Sequence, residues 1–292
     1  MENSPLFKSG HTACAGCGQA IAARLVVEAA GANTIIANNT GCLEVFTTKY
    51  PETAWGVPWI HSLFENSAAV ASGIEAALKY LGKKETINVI AQGGDGSTAD
   101  IGLQALSGML ERGHDILYVC YDNEAYMNTG VQRSGLTPFD TNTTTSPSGE
   151  QSSGNIRPKK PMPEICLAHG IPYVATASAG FPQDLQRKVK KAISIKGPKY
   201  IQIHVPCPLG WRHETNQMLP VAKLAVDCAL YPLFEYENGV LTGRRQIVPK
   251  PVDEYLKIQG RFKHLLNNPE EVKKIQEIAD NNIRKYNLKV EA

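Results

Sequence analysis

Two oxygen-bearing side chains, Asp95 and Asn123, occupy the positions with the clearest chemistry in this 292-residue sequence. Asp95 lies in the glycine-rich turn 93–96, and Asn123 follows about one helix and one strand later. A carboxylate, an amide oxygen and a backbone carbonyl suit a hard octahedral cation such as Mg²⁺, which keeps its remaining positions for water and phosphate oxygens. A turn that enters a helix also offers free N–H groups to an anion. The pair therefore predicts a site for Mg²⁺ and a phosphate group.

The segments around these two residues predict a unit of strand, turn, helix and strand. The apolar runs 87–91 and 116–121 are the expected strands, and an apolar-periodic helix lies between them. In an open parallel sheet, ligands collect outside the carboxyl ends of the strands, where Asp95 and Asn123 would lie side by side. Glycine-rich turns alone usually serve only to reverse the chain, so the prediction depends on the pair.

Further apolar patterns indicate an α/β fold, a mostly parallel sheet flanked by helices. The other expected strands are 34–38, 173–176 and 200–205. The other expected helices are 65–81, 182–195 and 269–286. Residues 236–239, Y-E-N-G, predict a hairpin turn.

The same patterns predict two structural regions. Threonine, serine, proline and glycine cluster in residues 131–160, which is typical of a lid or of an arm laid on another subunit. We therefore expect a domain of residues 1–218 that includes this insertion, and a helical C-terminal extension of residues 219–292.

Composition excludes several classes of function. The net charge is +2, and 42% apolar with 20% charged residues is ordinary for a globular protein. Basic and acidic residues are interspersed, so we expect no nucleic-acid partner. No apolar run approaches the length of a bilayer span or of a signal-peptide core, so we expect no membrane partner and a cytoplasmic location.

Four of the seven cysteines have the spacing and surroundings of metal ligands. Cys14 and Cys17 lie in a tight C-A-G-C loop, and Cys42 and Cys207 each follow a strand-like run. An odd number of cysteines in a reducing compartment argues against a disulfide framework. Four thiolates fit an iron–sulfur cluster and equally a structural Zn²⁺ ion, and a redox pair is a weaker alternative for the first two.

Five other reactive side chains are expected to serve the fold. Cys120, Cys166 and Cys228 lie among apolar residues, and free cysteine is among the most buried residue types. His61 and Glu65 suggest a general base, but no nearby residue completes a catalytic set, so we interpret both as structural.

A series of motifs follows along nearly the whole chain: H-T-A-C-A-G-C-G, N-N-T-G-C-L-E-V, W-G-V-P-W-I-H-S-L-F-E-N, G-G-D-G-S, D-N-E-A-Y-M-N-T-G-V-Q-R-S-G, R-P-K-K, P-Y-V-A-T-A-S, P-C-P-L-G-W and Y-L-K-I-Q-G-R-F-K-H-L. The G-D-G and following Asn resemble the diphosphate-binding motif of thiamine-diphosphate enzymes. Together the motifs closely resemble the beta subunit of multi-subunit 2-oxoacid:ferredoxin oxidoreductases, most like the pyruvate type. That resemblance implies a thiamine-diphosphate-binding fold.

The resemblance also implies roles for individual residues. Asp95, the Asn123 side chain and the Ala125 carbonyl would hold Mg²⁺ against the diphosphate, and Asn128 would face the reacting carbon of the cofactor. The other implied cofactor-binding residues are Gly41, Cys42, Phe64, Gly94, Gly96, Ser97 and Thr129. The implied ligands of a 4Fe-4S cluster, in place of zinc, are Cys14, Cys17, Cys42 and Cys207.

The activity that the resemblance implies is oxidative decarboxylation of a 2-oxoacid. Pyruvate would give acetyl-CoA and CO₂, and the cluster would pass the electrons to ferredoxin. The implied partners are alpha, gamma and delta-type subunits, and the alpha subunit would supply the carboxylate that activates the cofactor. The sequence leaves open oxalate and other 2-oxoacids and the use of coenzyme A. The alternatives are a non-redox thiamine-diphosphate decarboxylase or synthase subunit with a structural metal, and a zinc-stabilised interaction protein.

Overall fold

The computed structural model describes residues 4–49 and 51–290. Ten strands are described: β1 (Thr34–Asn38), β2 (Trp59–His61), β3 (Asn88–Gly94), β4 (Leu117–Asp122), β5 (Ser148–Gly149), β6 (Ser152–Ser153), β7 (Tyr173–Ser178), β8 (Lys199–His204), β9 (Phe234–Glu237) and β10 (Val240–Arg244). Eight of them form one sheet in the order β10-β9-β7-β8-β4-β3-β1-β2. The strands from β7 to β2 in this order run parallel, whereas β9 and β10 form an antiparallel edge.

Helices cover both faces of the sheet, which confirms the predicted fold class. The described α-helices are α1 (Gly18–Ala30), α2 (Cys42–Thr47), α3 (Ser67–Tyr80), α4 (Leu103–Glu111), α5 (Met162–Leu167), α6 (Pro182–Ser194), α7 (Pro208–Trp211), α8 (Met218–Asp227), α9 (Val252–Leu256) and α10 (Pro269–Tyr286). None of them combines the length and apolar character that a bilayer crossing requires.

Strand β4 shows how the alternation of side chains produces two cores. Leu117, Val119 and Tyr121 pack with α1 and α6 on one face, whereas Tyr118 and Cys120 pack with α3, α4 and α5 on the other. Successive side chains of a strand point to opposite faces, so a central strand that is buried on both sides is apolar throughout. The paired registers bring the carboxyl ends of β3, β4 and β8 to the same edge of the sheet.

The C-terminal residues form a third apolar cluster and also extend the sheet. Asn238 and Gly239 have φ values of 49° and 80° between β9 and β10, which confirms the predicted hairpin turn. Phe234 of β9 stacks on Tyr286 of α10 at 4.5 Å between ring centroids. The division at residues 218 and 219 stays a prediction, and residues 1–3, 50 and 291–292 lie outside the described part.

The insertion of residues 131–160 is more ordered than its composition suggests. The Asp140 N–H donates to the Asn155 carbonyl at 2.7 Å, and the Asn155 N–H donates to the Thr141 carbonyl at 3.0 Å. Asn155 is 2% exposed, and its side-chain nitrogen donates to three further carbonyls. Hydrogen bonds from short polar side chains take the place of those between paired strands in this segment. A pattern of apolar residues therefore could not predict that the segment is ordered. The contact of this segment with another subunit stays a prediction.

A buried carboxylate joins β9 to the neighbouring elements. Glu235, 3% exposed, accepts hydrogen bonds from Tyr173 Oη at 2.7 Å and from Arg187 Nη2 at 2.5 Å. Burial alone would raise the pKa of Glu235, but these two hydrogen bonds lower it to about 2. A carboxyl group whose pKa is lower in the folded state stabilises the fold above its unfolded pKa and loses that effect as the pH falls towards the folded value.

We therefore expect Glu235→Gln to reduce the free energy of unfolding at pH 7 by on the order of 1–2 kcal/mol, because the Arg187 side chain is 54% exposed and solvent screens its charge. The difference from wild type should shrink as the pH falls from about 4.5 to about 2, as measured by urea unfolding at a series of pH values. The control is Glu237→Gln, because the Glu237 side chain is 33% exposed and its ion pair with Lys191 should contribute less than about 1 kcal/mol. A constant difference down to pH 2 would contradict this account.

Candidate functional site

Asp95 lies where strand β3 passes directly into a helical turn at the carboxyl edge of the sheet. Its side chain is 1% exposed and accepts a hydrogen bond from the Ser134 hydroxyl of the insertion. Burial raises the pKa of Asp95 well above its usual value, and the nearby Asp122 carboxylate raises it further. This carboxylate therefore lies in surroundings that favour a cation beside it.

The turn after Asp95 requires glycine because another loop lies directly against it. A side chain at Gly96 would place its Cβ 2.4 Å from the ring of Tyr126, which no real contact allows. The Ser97 hydroxyl donates to the Gly94 carbonyl at 3.0 Å, and a π-helical turn, Ser97–Ile101, follows before α4. Such turns are often found at functional sites. The backbone of this turn is thus held close to the loop after β4.

Asn123 and Ala125 place two more polar atoms beside Asp95. One atom of the Asn123 carboxamide lies 2.9 Å from Asp95 Oδ1 and 2.7 Å from the Ala125 carbonyl oxygen. In one orientation of the amide, its nitrogen occupies this position and donates to both oxygens. In the other, the amide oxygen lies 2.9 Å from Asp95 Oδ1 and 2.7 Å from the Ala125 carbonyl oxygen. Both distances are close to the roughly 2.9 Å expected between neighbouring ligands of octahedral Mg²⁺ at about 2.0–2.1 Å. The donor set therefore fits Mg²⁺.

All eleven residues predicted for the cofactor pocket line one cleft at this edge of the sheet. They are Gly41, Cys42, Phe64, Gly94, Asp95, Gly96, Ser97, Asn123, Ala125, Asn128 and Thr129. Asn128 and Thr129 are exposed to the cleft, and the ring of Phe64 stacks on that of Tyr126 at 5.8 Å between centroids. The structure thus brings together residues from four separate stretches of the sequence.

The cleft also contains residues that sequence reasoning missed. They are Gln19, Asn38, Asn39, Thr40, Leu43, Gly93, Tyr126 and Met127. The Asn39 side chain accepts from the Ser67 N–H at 2.7 Å, and the Thr40 hydroxyl lies 2.8 Å from Nε2 of His61. The run of polar residues directly after β1 could have predicted Asn39 and Thr40, because ligands collect at the carboxyl ends of parallel strands.

A main-chain contact joins the two ends of the predicted cluster site. The Gly18 N–H, at the start of α1, donates to the Pro206 carbonyl at 3.1 Å. A Cβ at Gly18 would lie 2.9 Å from the Pro206 backbone, so only glycine allows this approach. The contact holds the loop with Cys14 and Cys17 next to Cys207, although these residues are far apart in the sequence.

The four predicted cluster cysteines lie close enough to affect one another electrostatically. Burial raises the pKa of Cys42 to about 12, and the neighbouring Cys207, Cys17 and Cys14 thiols contribute. Burial also raises the pKa of Cys207 to about 11, with contributions from Cys17 and Cys14. Within residues 4–49 and 51–290, no three His, Cys, Asp or Glu side chains are already arranged around a metal position. The chemistry of the four thiols nevertheless fits an iron–sulfur cluster.

The remaining three cysteines are part of the apolar core. Cys120, Cys166 and Cys228 are 0% exposed, and burial raises the pKa of each thiol. This confirms the prediction that they pack in the core.

Comparison with known proteins agrees with this geometry. Residues 39–203 match the family "Thiamine pyrophosphate enzyme, C-terminal TPP binding domain". These residues begin directly after β1 and contain β2 to β7 and all but the last residue of β8, together with Asp95, Asn123 and Ala125. The chain therefore contains a thiamine-pyrophosphate-binding domain.

Two curated relatives identify the family, and a solved structure shares the fold. Pyruvate synthase subunit PorB of Methanosarcina barkeri is 61% identical over 284 residues, covering 96% of each chain. Ketoisovalerate oxidoreductase subunit VorB of Pyrococcus abyssi is 50% identical over 273 residues, covering 91% of this chain and 88% of the relative. A structure titled "2-oxoglutarate:ferredoxin oxidoreductase from Magnetococcus marinus with 2-oxoglutarate, coenzyme A and succinyl-CoA bound" shares the fold, with a TM-score of 0.60, 24% identity and coverage of 76% and 81%. The chain therefore belongs to the PorB-type beta subunits of the 2-oxoacid:ferredoxin oxidoreductases.

Proposed function

We propose that the chain is the subunit of a pyruvate:ferredoxin oxidoreductase that carries thiamine diphosphate, Mg²⁺ and a 4Fe-4S cluster. The enzyme would convert pyruvate and coenzyme A to acetyl-CoA and CO₂ and reduce ferredoxin. The observation that carries the proposal is the convergence of Asp95, Asn123 and Ala125 in a cleft that is also lined by Cys42. The 61% identity to a subunit named for pyruvate synthase supports pyruvate as the substrate.

The chain's own residues would bind the cofactor at its diphosphate end. Asp95, Asn123 and the Ala125 carbonyl would hold Mg²⁺, and the N–H groups of the turn after Gly94 would bind phosphate oxygens. When bound, thiamine diphosphate supplies a nucleophilic carbon and a ring that accepts electrons during decarboxylation. The rings of Phe64 and Tyr126 stack at the cleft and would restrict access of water there. The exposed Asn128 carboxamide would offer hydrogen bonds to the substrate oxygens.

The cluster would be held by Cys14, Cys17, Cys42 and Cys207. Cys42 lies at the first position of α2 and also lines the cleft, so one ligand connects the two sites directly. On these thiolates, a 4Fe-4S cluster would supply a one-electron acceptor next to the cofactor. This arrangement favours the redox function over the non-redox decarboxylase or synthase alternative, which would need no electron acceptor in this position.

Partner subunits would complete the site. Among the described residues that line the cleft, Asp95 is the one carboxylate, and its proposed role is to bind Mg²⁺. The carboxylate that hydrogen-bonds the aminopyrimidine would therefore come from an alpha-type subunit, as the family resemblance implies. Gamma and delta-type subunits, ferredoxin and coenzyme A are further proposed partners.

The substrate is tested by assaying the purified complex with a viologen acceptor. We expect the highest kcat/KM with pyruvate, dependent on coenzyme A, and lower values with 2-oxoisovalerate, 2-oxoglutarate and oxalate. The chain alone, reconstituted with iron, sulfide, Mg²⁺ and thiamine diphosphate, should show no turnover. A higher kcat/KM for 2-oxoisovalerate would assign the substrate of the VorB relative instead, and turnover by the lone chain would contradict the partner-supplied carboxylate.

The magnesium site predicts a loss of cofactor binding in Asp95→Asn. We expect the complex to bind thiamine diphosphate at least about tenfold more weakly, measured by calorimetry at fixed Mg²⁺, because a charged ligand of the ion is lost. The melting temperature without cofactor should not fall, since burial and Asp122 already disfavour the Asp95 charge.

Asp115→Asn is the matched control for the loss of a carboxylate. Asp115 forms ion pairs with Lys84 at 2.7 Å and Lys199 at 2.5 Å at the opposite edge of the sheet. This variant should melt earlier but bind the cofactor normally. Equal affinity in Asp95→Asn and wild type would show that Asp95 is not a magnesium ligand.

The sorting of the cysteines predicts different iron contents for two serine variants. Cys207→Ser should lose iron and melt earlier, because the cluster would join the residues after β8 to the N-terminal loop. Cys120→Ser should keep the full iron content, since Cys120 is 0% exposed within the core. Iron analysis, visible absorption and thermal unfolding measure both effects. Equal iron in the two variants, or a colourless wild-type protein that contains zinc, would contradict the cluster assignment.

A further inference from the structure

Glu124 lies between the two residues that would bind Mg²⁺ after strand β4, and its backbone is unusual. Its φ of 70° places a non-glycine residue in the left-handed region, where the Cβ atom is crowded. The residue is only 4% exposed. A strained conformation of this kind persists only where the surrounding contacts hold it, and such positions cluster at functional sites.

Two cations from distant parts of the sequence hold the Glu124 side chain. Lys159 Nζ lies 2.7 Å from Oε1, and Arg261 Nη2 lies 2.6 Å from Oε2. Lys159 belongs to the R-P-K-K motif at the end of the insertion, and Arg261 belongs to Y-L-K-I-Q-G-R-F-K-H-L in the C-terminal region. Arg261 is 2% exposed, and Lys159 also pairs with Asp122 at 2.8 Å. No role in the proposed reaction accounts for either motif.

The backbone around Glu124 is fixed by further hydrogen bonds. The Glu124 N–H donates to Asp122 Oδ1 at 3.1 Å, and the Thr137 hydroxyl donates to the Glu124 carbonyl at 2.8 Å. Trp211 Nε1 donates to the Asn123 carbonyl at 2.7 Å, and the Arg261 guanidinium lies 3.7 Å above the Trp211 ring. Arg261 therefore supports the Asn123–Glu124 backbone through the Glu124 carboxylate and also through Trp211.

We propose that Glu124, held by Lys159 and Arg261, is a positioning residue that keeps Asn123 and Ala125 in the geometry that binds Mg²⁺. This role rests on the proposed function of the site. The carboxamide and the carbonyl belong to the residues on either side of Glu124, so a rotation of its backbone moves both away from Asp95. The insertion and the C-terminal region thereby set the affinity of the site for Mg²⁺.

Arg261→Met tests this role in the complex purified with its partner subunits. The substitution removes the charge, keeps an unbranched side chain of intermediate length, and alters no proposed ligand. Retained thiamine diphosphate is measured after gel filtration over a range of Mg²⁺ concentrations, which requires no turnover. We expect the half-saturating Mg²⁺ concentration to rise about tenfold and retention to recover at high Mg²⁺. Arg261→Lys, which keeps the charge, should restore part of the affinity.

Arg187→Met is the matched control for loss of an arginine that pairs with a buried carboxylate. Arg187 lies 2.5 Å from Glu235, which is on β9, outside the cleft. The control should lower the melting temperature without changing the Mg²⁺ requirement, whereas a purely structural role of Arg261 would give the same result for Arg261→Met. Glu124→Gln provides a second test of the pairing if Arg261→Met does not assemble.

Three outcomes would overturn the proposal in distinguishable ways. An unchanged Mg²⁺ requirement in both Arg261→Met and Glu124→Gln, with normal binding by wild type, would refute the positioning role alone. An equal change in Arg187→Met would show that general destabilisation causes the effect. Thiamine diphosphate retention by wild type that does not depend on Mg²⁺ would refute the magnesium site and the positioning role together.

Discussion

Two buried carboxylates at the ends of adjacent parallel strands impose the constraint on which the site depends. Asp95 is 1% exposed and Asp122 is 0% exposed, and burial, with a further contribution from the Asp122 charge, raises the pKa of Asp95. Removing a charge from water is unfavourable unless a partner compensates it. Lys159 compensates Asp122, whereas Asp95 has no ion pair within the described residues and accepts a hydrogen bond from Ser134. A divalent cation is the partner that this arrangement favours.

The insertion and the C-terminal region have a common physical role because both bring cations to this edge of the sheet. Burial alone would raise the pKa of Glu124, but Lys159 and Arg261 lower it to about 2. Burial alone would lower the pKa of Lys159, but the Asp122 and Glu124 carboxylates raise it to about 12. The two cations thus stabilise the ionised form of Glu124, and the carboxylates stabilise the ionised form of Lys159. The insertion and the C-terminal region therefore supply the two cations that pair with Asp122 and Glu124 at this edge.

The sequence predicts those residues of the site whose positions follow from short local patterns. Asp95 and Asn123 directly follow apolar strands, and Asn-Gly is a typical residue pair of a hairpin turn. A few neighbouring residues were therefore enough to predict the two ligands and the Asn238–Gly239 turn. The pairing of Glu124 with Arg261 joins residues separated by more than one hundred positions, and no local pattern encodes it. The order within the insertion likewise comes from single polar side chains such as Asn155, which binds three carbonyls.

The strand order explains why both kinds of donor meet at one edge. Strands β8, β4, β3 and β1 are consecutive neighbours, and the residues that follow their carboxyl ends include Cys207, Asn123, Asp95 and Cys42, respectively. The oxygen donors therefore follow β4 and β3, and two of the four thiols, Cys207 and Cys42, follow the strands on either side. Because neighbouring strands lie about 4.8 Å apart, this order keeps the oxygen donors and the two thiols within a few strand widths of each other. Parallel pairing, through crossovers that return every strand to the same starting edge, brings these four residues together. The contact of the Gly18 N–H with the Pro206 carbonyl then places the loop of Cys14 and Cys17 beside Cys207.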